Sequence, residues 1–437
     1  MNSITILAYA LVVVFMALIM TKRLSVLTAL IIVPIAFGLT GGFAAELGPM
    51  MLDGVRAIAP TGVMLAFAIL YFGLMIDVGL FDPVVRLVIR LAGGDPVKTV
   101  VGTAVLALTV SLDGDGSTTY LIVTAAMLPL YQRLGLSRLV LASVVMQAGG
   151  IMNILPWGGP TARAAAALKL DVGDLFVPMI PAIAAGAAWV IFVAWRLGLR
   201  ERARLGSRAG PVVEDAPTFV SGQEEAAAAR RPQLFWFNLM LTLALMGALV
   251  AGLFPLPILF MIACAIALAL NYPKLSEQRD RVAAHAGNAL AVAGVIFAAG
   301  IFTGILSGTK MIDAMALSVV SLLPDALGPY MAVITGILSA PFTFFISNDA
   351  FYYGVVPILT EAASHFGISA VEIGRASLVG QPVHLLSPLV PSTYLLVGLC
   401  GVELGDHQKF TLKWTLGSAL VLLTVCLLTA VVPLAGG

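Results

Sequence analysis

Long apolar runs follow one another along this chain, separated by short polar breaks. Taking about 20 apolar residues per crossing, the pattern predicts spanning helices at roughly 3–20, 24–40, 57–79, 139–166 and 174–195 in the first half. In the second half it predicts them at about 236–254, 256–272, 288–307, 378–400 and 414–434. Two stretches, 99–130 and 329–361, behave differently: each is a pair of apolar limbs of about a dozen residues meeting at a polar tip. A limb that short cannot cross a hydrocarbon core of about 30 Å, so each pair reads as a re-entrant hairpin. The expectation is an all-α polytopic membrane protein with about ten crossings and two hairpins.

Composition agrees. The 437 residues are 60% hydrophobic and only 11% charged, and mean hydropathy is +1.03, more apolar surface than a soluble core needs. A net charge of +1 gives no reason to expect nucleic acid as a partner. Cys264, Cys400 and Cys426 lie in or beside apolar runs without motif spacing, so no disulfide framework is indicated. Residues 1–20 have neither a basic leader nor a small-residue cleavage site and read as the first spanning helix, not a signal peptide.

Lys and Arg set the orientation. Loops 21–23, 82–98 (Arg86, Arg90, Lys98), 131–138 (Arg133, Arg138), 196–235 and 273–287 (Lys274, Arg279, Arg281) fall on one side. Placing them inside makes both termini external. Residues 196–235, rich in Ala, Glu, Arg and Pro, divide the chain and read as a flexible cytoplasmic linker. The halves on either side, 1–195 and 236–437, resemble each other. Asp115 and Asp349 stand 234 apart at the two tips, Gln147 and Gln381 stand 234 apart before polar breaks, and Gly173-Asp174 and Gly405-Asp406 stand 232 apart. Five crossings per half would insert the second upside down, the inverted-repeat plan of secondary transporters.

The chemistry concentrates at four places. The first tip, SLDGDGSTTY (111–120), puts Asp113 and Asp115 inside what otherwise reads as membrane. A mid-membrane carboxylate costs about 2.5–3.5 kcal/mol even on insertion scales, so it should face protein, water or an ion. Ser117 and Thr118 add hydroxyls beside it. A calcium loop of the EF-hand type would need Gly at 118 and Glu at 124, where Thr118 and Thr124 stand. An intramembrane aspartyl protease would need Gly at 112, where Leu112 stands. The second tip carries Ser347, Asn348 and Asp349, which offer hydroxyl, amide and carboxylate together or simply cap the outgoing limb. The run 147–170 holds Gly149, Gly150, Pro156, Gly158, Gly159 and Pro160, too many breakers for one helix, so its middle should unwind and aim Asn153, Thr161 and Arg163 at a cavity. Pro382, Pro388 and Pro391 do the same to 380–396, exposing Ser387, Ser392 and Thr393. His384 there is the one histidine read as lying within the membrane, a proton-carrier candidate beside Asp113, Asp115 and Asp349, or a hydrogen-bonded structural residue. No phosphate-binding loop, haem ligation or dinucleotide fingerprint is present, so no cofactor is expected.

These segments, SLDGDGSTTY, MNILPWGGPTARAA, GIFTGILSGTKMIDAMA, PFTFFISNDAFYYG, GQPVHLLSPLVPSTYLLVG and GDHQKFTLKW, resemble those of the citrate–divalent metal/proton symporter family of the ion transporter superfamily. The resemblance implies proton-coupled uptake of citrate complexed with a divalent cation across a bacterial inner membrane. It also implies a homodimeric elevator-type carrier whose moving domain holds both hairpins. On that reading Asp113, Asp115 and Asp349 face the metal or carry the proton. Ser117, Thr118, Asn153, Gly158, Gly159, Thr161, Arg163, Ser347, Asn348, Ser387, Ser392 and Thr393 face the anion. The rival within transport is a sodium-coupled di- or tricarboxylate carrier. Outside transport it is a membrane-embedded hydrolase, which an internal repeat does not explain, and a channel would differ in lacking saturation and counterflow.

Overall fold

The computed structural model describes residues 3–114, 116–206, 229–322 and 324–436, and these contain helices and turns but no strand. In the first half the helices are α1 (Ser3–Met20), α2 (Val26–Thr40), α3 (Leu47–Asp77), α4 (Asp82–Ala92), α5 (Pro96–Val110), α6 (Gly116–Leu134), α7 (Arg138–Met152), α8 (Gly159–Leu168), α9 (Val172–Phe176) and α10 (Ile180–Leu205). In the second they are α11 (Phe235–Val250), α12 (Leu256–Asn271), α13 (Leu275–Gly308), α14 (Met311–Leu322), α15 (Met331–Phe345), α16 (Val356–Ser364), α17 (Ala370–Leu378), α18 (Gln381–His384), α19 (Pro391–Cys400) and α20 (Leu404–Leu428). Among the described residues, seven helical stretches are long and apolar enough to cross a membrane.

Element starts recur between the halves. Ser3, Val26, Leu47, Asp82, Pro96, Arg138 and Gly159 are matched by Phe235, Leu256, Leu275, Met311, Met331, Ala370 and Pro391, at offsets of 228 to 235. The matched long helices α3 and α13 pack along their whole length. Contacts pair Met50 with Gly308, Gly54 with Gly300, Gly62 with Phe297 and Gly73 with His285, so one numbering rises as the other falls: the helices are antiparallel. A Cβ on Gly54 would lie 1.9 Å from the Gly300 carbonyl oxygen, so only glycine permits this approach.

Several boundaries differ from the hydropathy reading. Helices α3, α13 and α20 start ten or more residues before the apolar runs predicted at 57, 288 and 414. Helix α10 likewise continues to Leu205, ten residues into the predicted linker. The extra segments of α10 and α13 are rich in Ala, Leu, Glu, Gln and Arg, which hold a helix as well in water as in lipid; hydropathy marks the apolar section of a helix, not its ends. Residues 207–228 of the linker lie outside the described residues, but its far end is fixed. Arg231 donates to the Asn271 carbonyl at 2.9 Å and pairs with Glu277 at 3.0 Å, and its guanidinium sits 4.8 Å from the Tyr272 ring centre. The predicted loop 82–98 contains α4, whose buried Val85, Val88 and Ala92 mark a helical stripe opposite exposed Arg86 and Arg90.

The limbs entering the two tips are also longer than read, so shortness does not make them re-entrant: both are long and apolar enough to cross a membrane. Helices α5 and α15 have 15 residues each. With the 3-10 turns that extend them, Pro96–Asp113 and Ala326–Phe345 reach 18 and 20 residues. The second outgoing limb opens with a π-helical turn, Ala350–Val355, directly after the tip, a local underwinding common at functional sites. Both predicted breaks are present: α7 gives way to α8 across residues 153–158, and α18 to α19 across 385–390. Gln147, expected to open the first break, instead lies inside α7, five residues short of its end.

Candidate substrate cavity

Both tips and both breaks converge on one cavity of about 670 Å³. The first tip contributes Asp113, Gly114, Gly116 and Ser117, and the first break Asn153, Trp157, Gly159 and Arg163. The second tip contributes Ser347, Asn348 and Asp349, and the second break His384, Val390 and Ser392. The remaining wall is different in kind: Leu65 and Ile69 of α3 and Ala291, Val292, Val295 and Ile296 of α13, with Asn288 as its one polar member among the described residues.

The first tip is built on the backbone. A 3-10 turn, Ser111–Asp113, ends at Gly114 with φ of +76°, a left-handed conformation that glycine adopts without strain. A Cβ there would also lie 2.6 Å from the Trp157 ring. Trp157 in turn donates its indole N–H to the Leu112 carbonyl at 2.8 Å, fastening the tip to the first break. Asp113 is buried, with the Thr119 hydroxyl 3.5 Å from its Oδ1. Asp115 lies outside the described residues.

The second tip is held by side chains. Asn348 and Gln381 exchange amide hydrogen bonds: Asn348 Nδ2 donates to Gln381 Oε1 at 3.3 Å, and Gln381 Nε2 donates to Asn348 Oδ1 at 3.1 Å. Gln381 Nε2 also donates to the Tyr352 hydroxyl at 2.9 Å, and that hydroxyl donates to the Ser377 carbonyl at 3.3 Å. The Ser347 hydroxyl accepts from the Ala350 N–H at 3.1 Å, capping the outgoing limb.

One ion pair joins the halves at this point. Arg163 Nε donates to Asp349 Oδ1 at 2.7 Å, with the side chains 25% and 14% exposed. A short charge-assisted bond at this burial is well screened from solvent, and it leaves the other nitrogens of the guanidinium fork for a second carboxylate. His384 Nδ1 lies 2.7 Å from the Thr343 carbonyl oxygen. A carbonyl only accepts, so Nδ1 carries a proton and Nε2 is the nitrogen that gains or loses one.

Ten of the predicted residues therefore line one cavity: Asp113, Ser117, Asn153, Gly159, Arg163, Ser347, Asn348, Asp349, His384 and Ser392. Of the other predicted residues that the structure describes, none lines it. Thr161 donates to the Ile154 carbonyl at 2.8 Å, Ser387 to the Phe344 carbonyl at 2.6 Å, and Thr393 to the Leu385 carbonyl. Breaking a helix frees carbonyls that must be satisfied at membrane depth, and these hydroxyls do it. Gly158 closes the first break, where a Cβ would lie 2.0 Å from the Asn153 carbonyl oxygen. Thr118 is absent from the lining. The sequence reading missed Trp157 and Asn288, although a lone Asn in an apolar helix is a signal in itself. Among the described residues, no three His, Cys, Asp or Glu side chains gather closely enough to hold a metal ion unaided.

Comparison with known proteins agrees with this architecture. The family model for citrate transporters (CitMHS) matches residues 15–380. A citrate transporter of Bacillus subtilis is 61% identical over 98% of this chain and 99% of its own. The Mg(2+)/citrate complex secondary transporter of the same organism is 54% identical over 97% of this chain and 98% of its own. Among solved structures, the YdaH transporter of Alcanivorax borkumensis superposes with a TM-score of 0.61 over 97% of both chains at 16% identity, a likeness of fold alone. These proteins are transporters and not enzymes, and the chain is a multi-pass membrane protein belonging to the CitMHS citrate transporter family.

Proposed function

We propose that this protein is a secondary transporter that carries citrate as its complex with a divalent cation, magnesium first among the candidates, together with protons. The observation that carries the reading is the convergence of both tips and both breaks on one polar cavity crossed by the Arg163–Asp349 pair. The 54% identical Mg(2+)/citrate relative supports the substrate.

Charge supports the coupling. Citrate with one divalent cation carries a net charge of about −1. The described ionic lining is Asp113, Asp349 and Arg163, two negatives and one positive, hence also −1 with His384 neutral. Bringing the two together in a water-poor cavity costs energy, which a proton taken up by a carboxylate or by His384 removes. In this scheme Arg163 and the hydroxyls and amides of Ser117, Asn153, Ser347, Asn348 and Ser392 meet the free citrate oxygens. Asp113 or Asp115 adds an oxygen to a cation whose other ligands come from citrate and water.

The recurring element starts and the antiparallel α3–α13 pair support two inverted repeats. Tips that share a cavity with helix breaks lie at the depth of those breaks, which supports re-entrant hairpins and ten crossings. The polar side of the cavity belongs to the hairpins and broken helices, and the apolar side to α3 and α13. A cargo-holding body facing a greasy wall can slide along it without breaking specific bonds, which supports an elevator motion in a dimer.

The test is labelled-citrate uptake into proteoliposomes under an inward proton gradient, with magnesium, calcium or a chelator. The proposal expects uptake abolished by chelation, restored by a divalent metal and collapsed by an uncoupler. Uptake that ignores metal and needs sodium would replace it with a sodium-coupled carrier.

A further inference from the structure

The paired ends of α10 and α20 carry four exposed cations, Arg196, Arg200, Lys409 and Lys413. They stand four residues apart on each helix, so each pair shares one face. The helices pack against each other, with the Trp189 indole N–H donating to the Trp414 carbonyl at 3.2 Å. The Trp414 ring gathers the charges: the Arg200 guanidinium lies 5.6 Å and the Lys413 ammonium 5.2 Å from its centre. Among the described residues, none of the four makes an ion pair, including with Glu403 and Asp406 at the start of α20. One turn further along α10 the pattern changes: Arg202 pairs with Asp95, and Arg204 with Glu201. The fold therefore neutralises the outer cations of α10 and leaves these four in want of an anion.

The surroundings indicate which anion. Trp189, Phe192 and Trp195 stack in sequence along α10, with ring centres 5.5 and 6.0 Å apart, and Phe192 and Trp195 are exposed. On α20 the exposed residues at four-residue spacing are Leu412, Leu416 and Leu420. An exposed leucine stripe and an aromatic ladder are the lipid-facing surface of a membrane protein and its interfacial belt. The four cations stand at the Arg-rich edge of that surface, the depth of lipid phosphates, where basic side chains attract anionic headgroups.

We propose that the α10–α20 end is a binding site for an anionic phospholipid headgroup. Its phosphate sits between Arg196, Arg200, Lys409 and Lys413, and its acyl chains lie along the aromatic ladder and leucine stripe. The site is separate from the substrate cavity and does not rest on the citrate reading.

The test compares quenching of tryptophan fluorescence by brominated phosphatidylglycerol and brominated phosphatidylcholine. It uses the full-length protein in vesicles, with Trp414→Phe subtracted to isolate Trp414. The proposal expects stronger quenching of Trp414 by the anionic lipid in the native sequence. It expects the preference to fall roughly fivefold for each cation replaced by Gln, from the usual strength of a basic residue near an anionic surface. Because the native and Trp414→Phe proteins give the first reading without any cation variant, a Gln variant that fails to fold does not spoil the experiment. Equal quenching by both lipids overturns the proposal. So does the absence of quenching by either, which would mean a second copy covers the face. Loss of the preference on adding inorganic phosphate would assign the site to soluble phosphate instead.

Discussion

The two tips occupy matching places in the chain yet are held by opposite means. The first is a backbone device: a left-handed glycine, a 3-10 turn and one indole bond to a carbonyl. The second is a side-chain device, in which Asn348 is clasped by Gln381, itself held by Tyr352, and Asp349 is clasped by Arg163 from the other half. The residue 232 positions beyond Arg163 is Leu395, so the cavity's positive charge has no counterpart at the spacing that relates α8 to α19. A backbone-built tip tolerates loss of a side-chain bond better than one built from side chains alone. Mutations should therefore hurt the second tip more than the first.

The largest effect is expected from Arg163→Gln, which leaves a half-buried Asp349 without its cation and takes away the fork that meets substrate. Citrate uptake should fall about a hundredfold, and Arg163→Lys should not restore it, because a point charge cannot hold Asp349 and a second carboxylate as a fork does. Initial-rate uptake measures both. Gln381→Ala comes next. It frees Asn348 without touching the cavity, so KM should rise roughly tenfold while maximal rate changes little, the loss of one buried amide clasp.

The sequence announced the tips, the breaks and the spacing between halves, because carboxylates, prolines and glycines in apolar runs are expensive and conspicuous. It did not announce partners. That Arg163 meets Asp349, 186 residues away, depends on packing between halves that no local pattern encodes. Thr161, Ser387 and Thr393 looked like ligands and are instead the hydroxyls that satisfy carbonyls freed by broken helices. A hydroxyl beside a break reads alike in both roles. The starts of α13 and α20 were missed because polar helical turns carry no hydropathy signal, and that of α3 because Gly48, Pro49, Asp53 and Arg56 interrupt its apolar run.

Smaller effects sharpen the contrast. Trp157→Phe keeps the ring that packs over Gly114 and removes only the bond to the Leu112 carbonyl. Uptake should fall no more than about fivefold, the value of one neutral hydrogen bond. An effect as large as that of Gln381→Ala would erase the distinction between the tips. The smallest change on transport is expected at the foot of the first hairpin. Partial burial works to raise the Asp95 pKa, but the Lys98 and Val97 amides and Arg202 outweigh it and hold the carboxyl below its ordinary 3.8. A carboxyl lowered on folding stabilises the protein above its unfolded value, and the benefit fades as pH falls through its folded value. Asp95→Ala should lose about 1 kcal/mol of helix-cap stability at neutral pH, seen as a lower unfolding temperature, with KM for citrate unchanged.

The central claim is that one cavity between the tips binds citrate and a divalent cation as a single ligand. Titration calorimetry on the purified protein tests it directly, with citrate added in the presence of magnesium or of a chelator, for the native sequence and for Arg163→Gln. The account predicts saturable binding only when citrate and magnesium are both present, and its loss in Arg163→Gln. Citrate that binds equally well without any divalent cation, or that binds Arg163→Gln as tightly as the native protein, would contradict it.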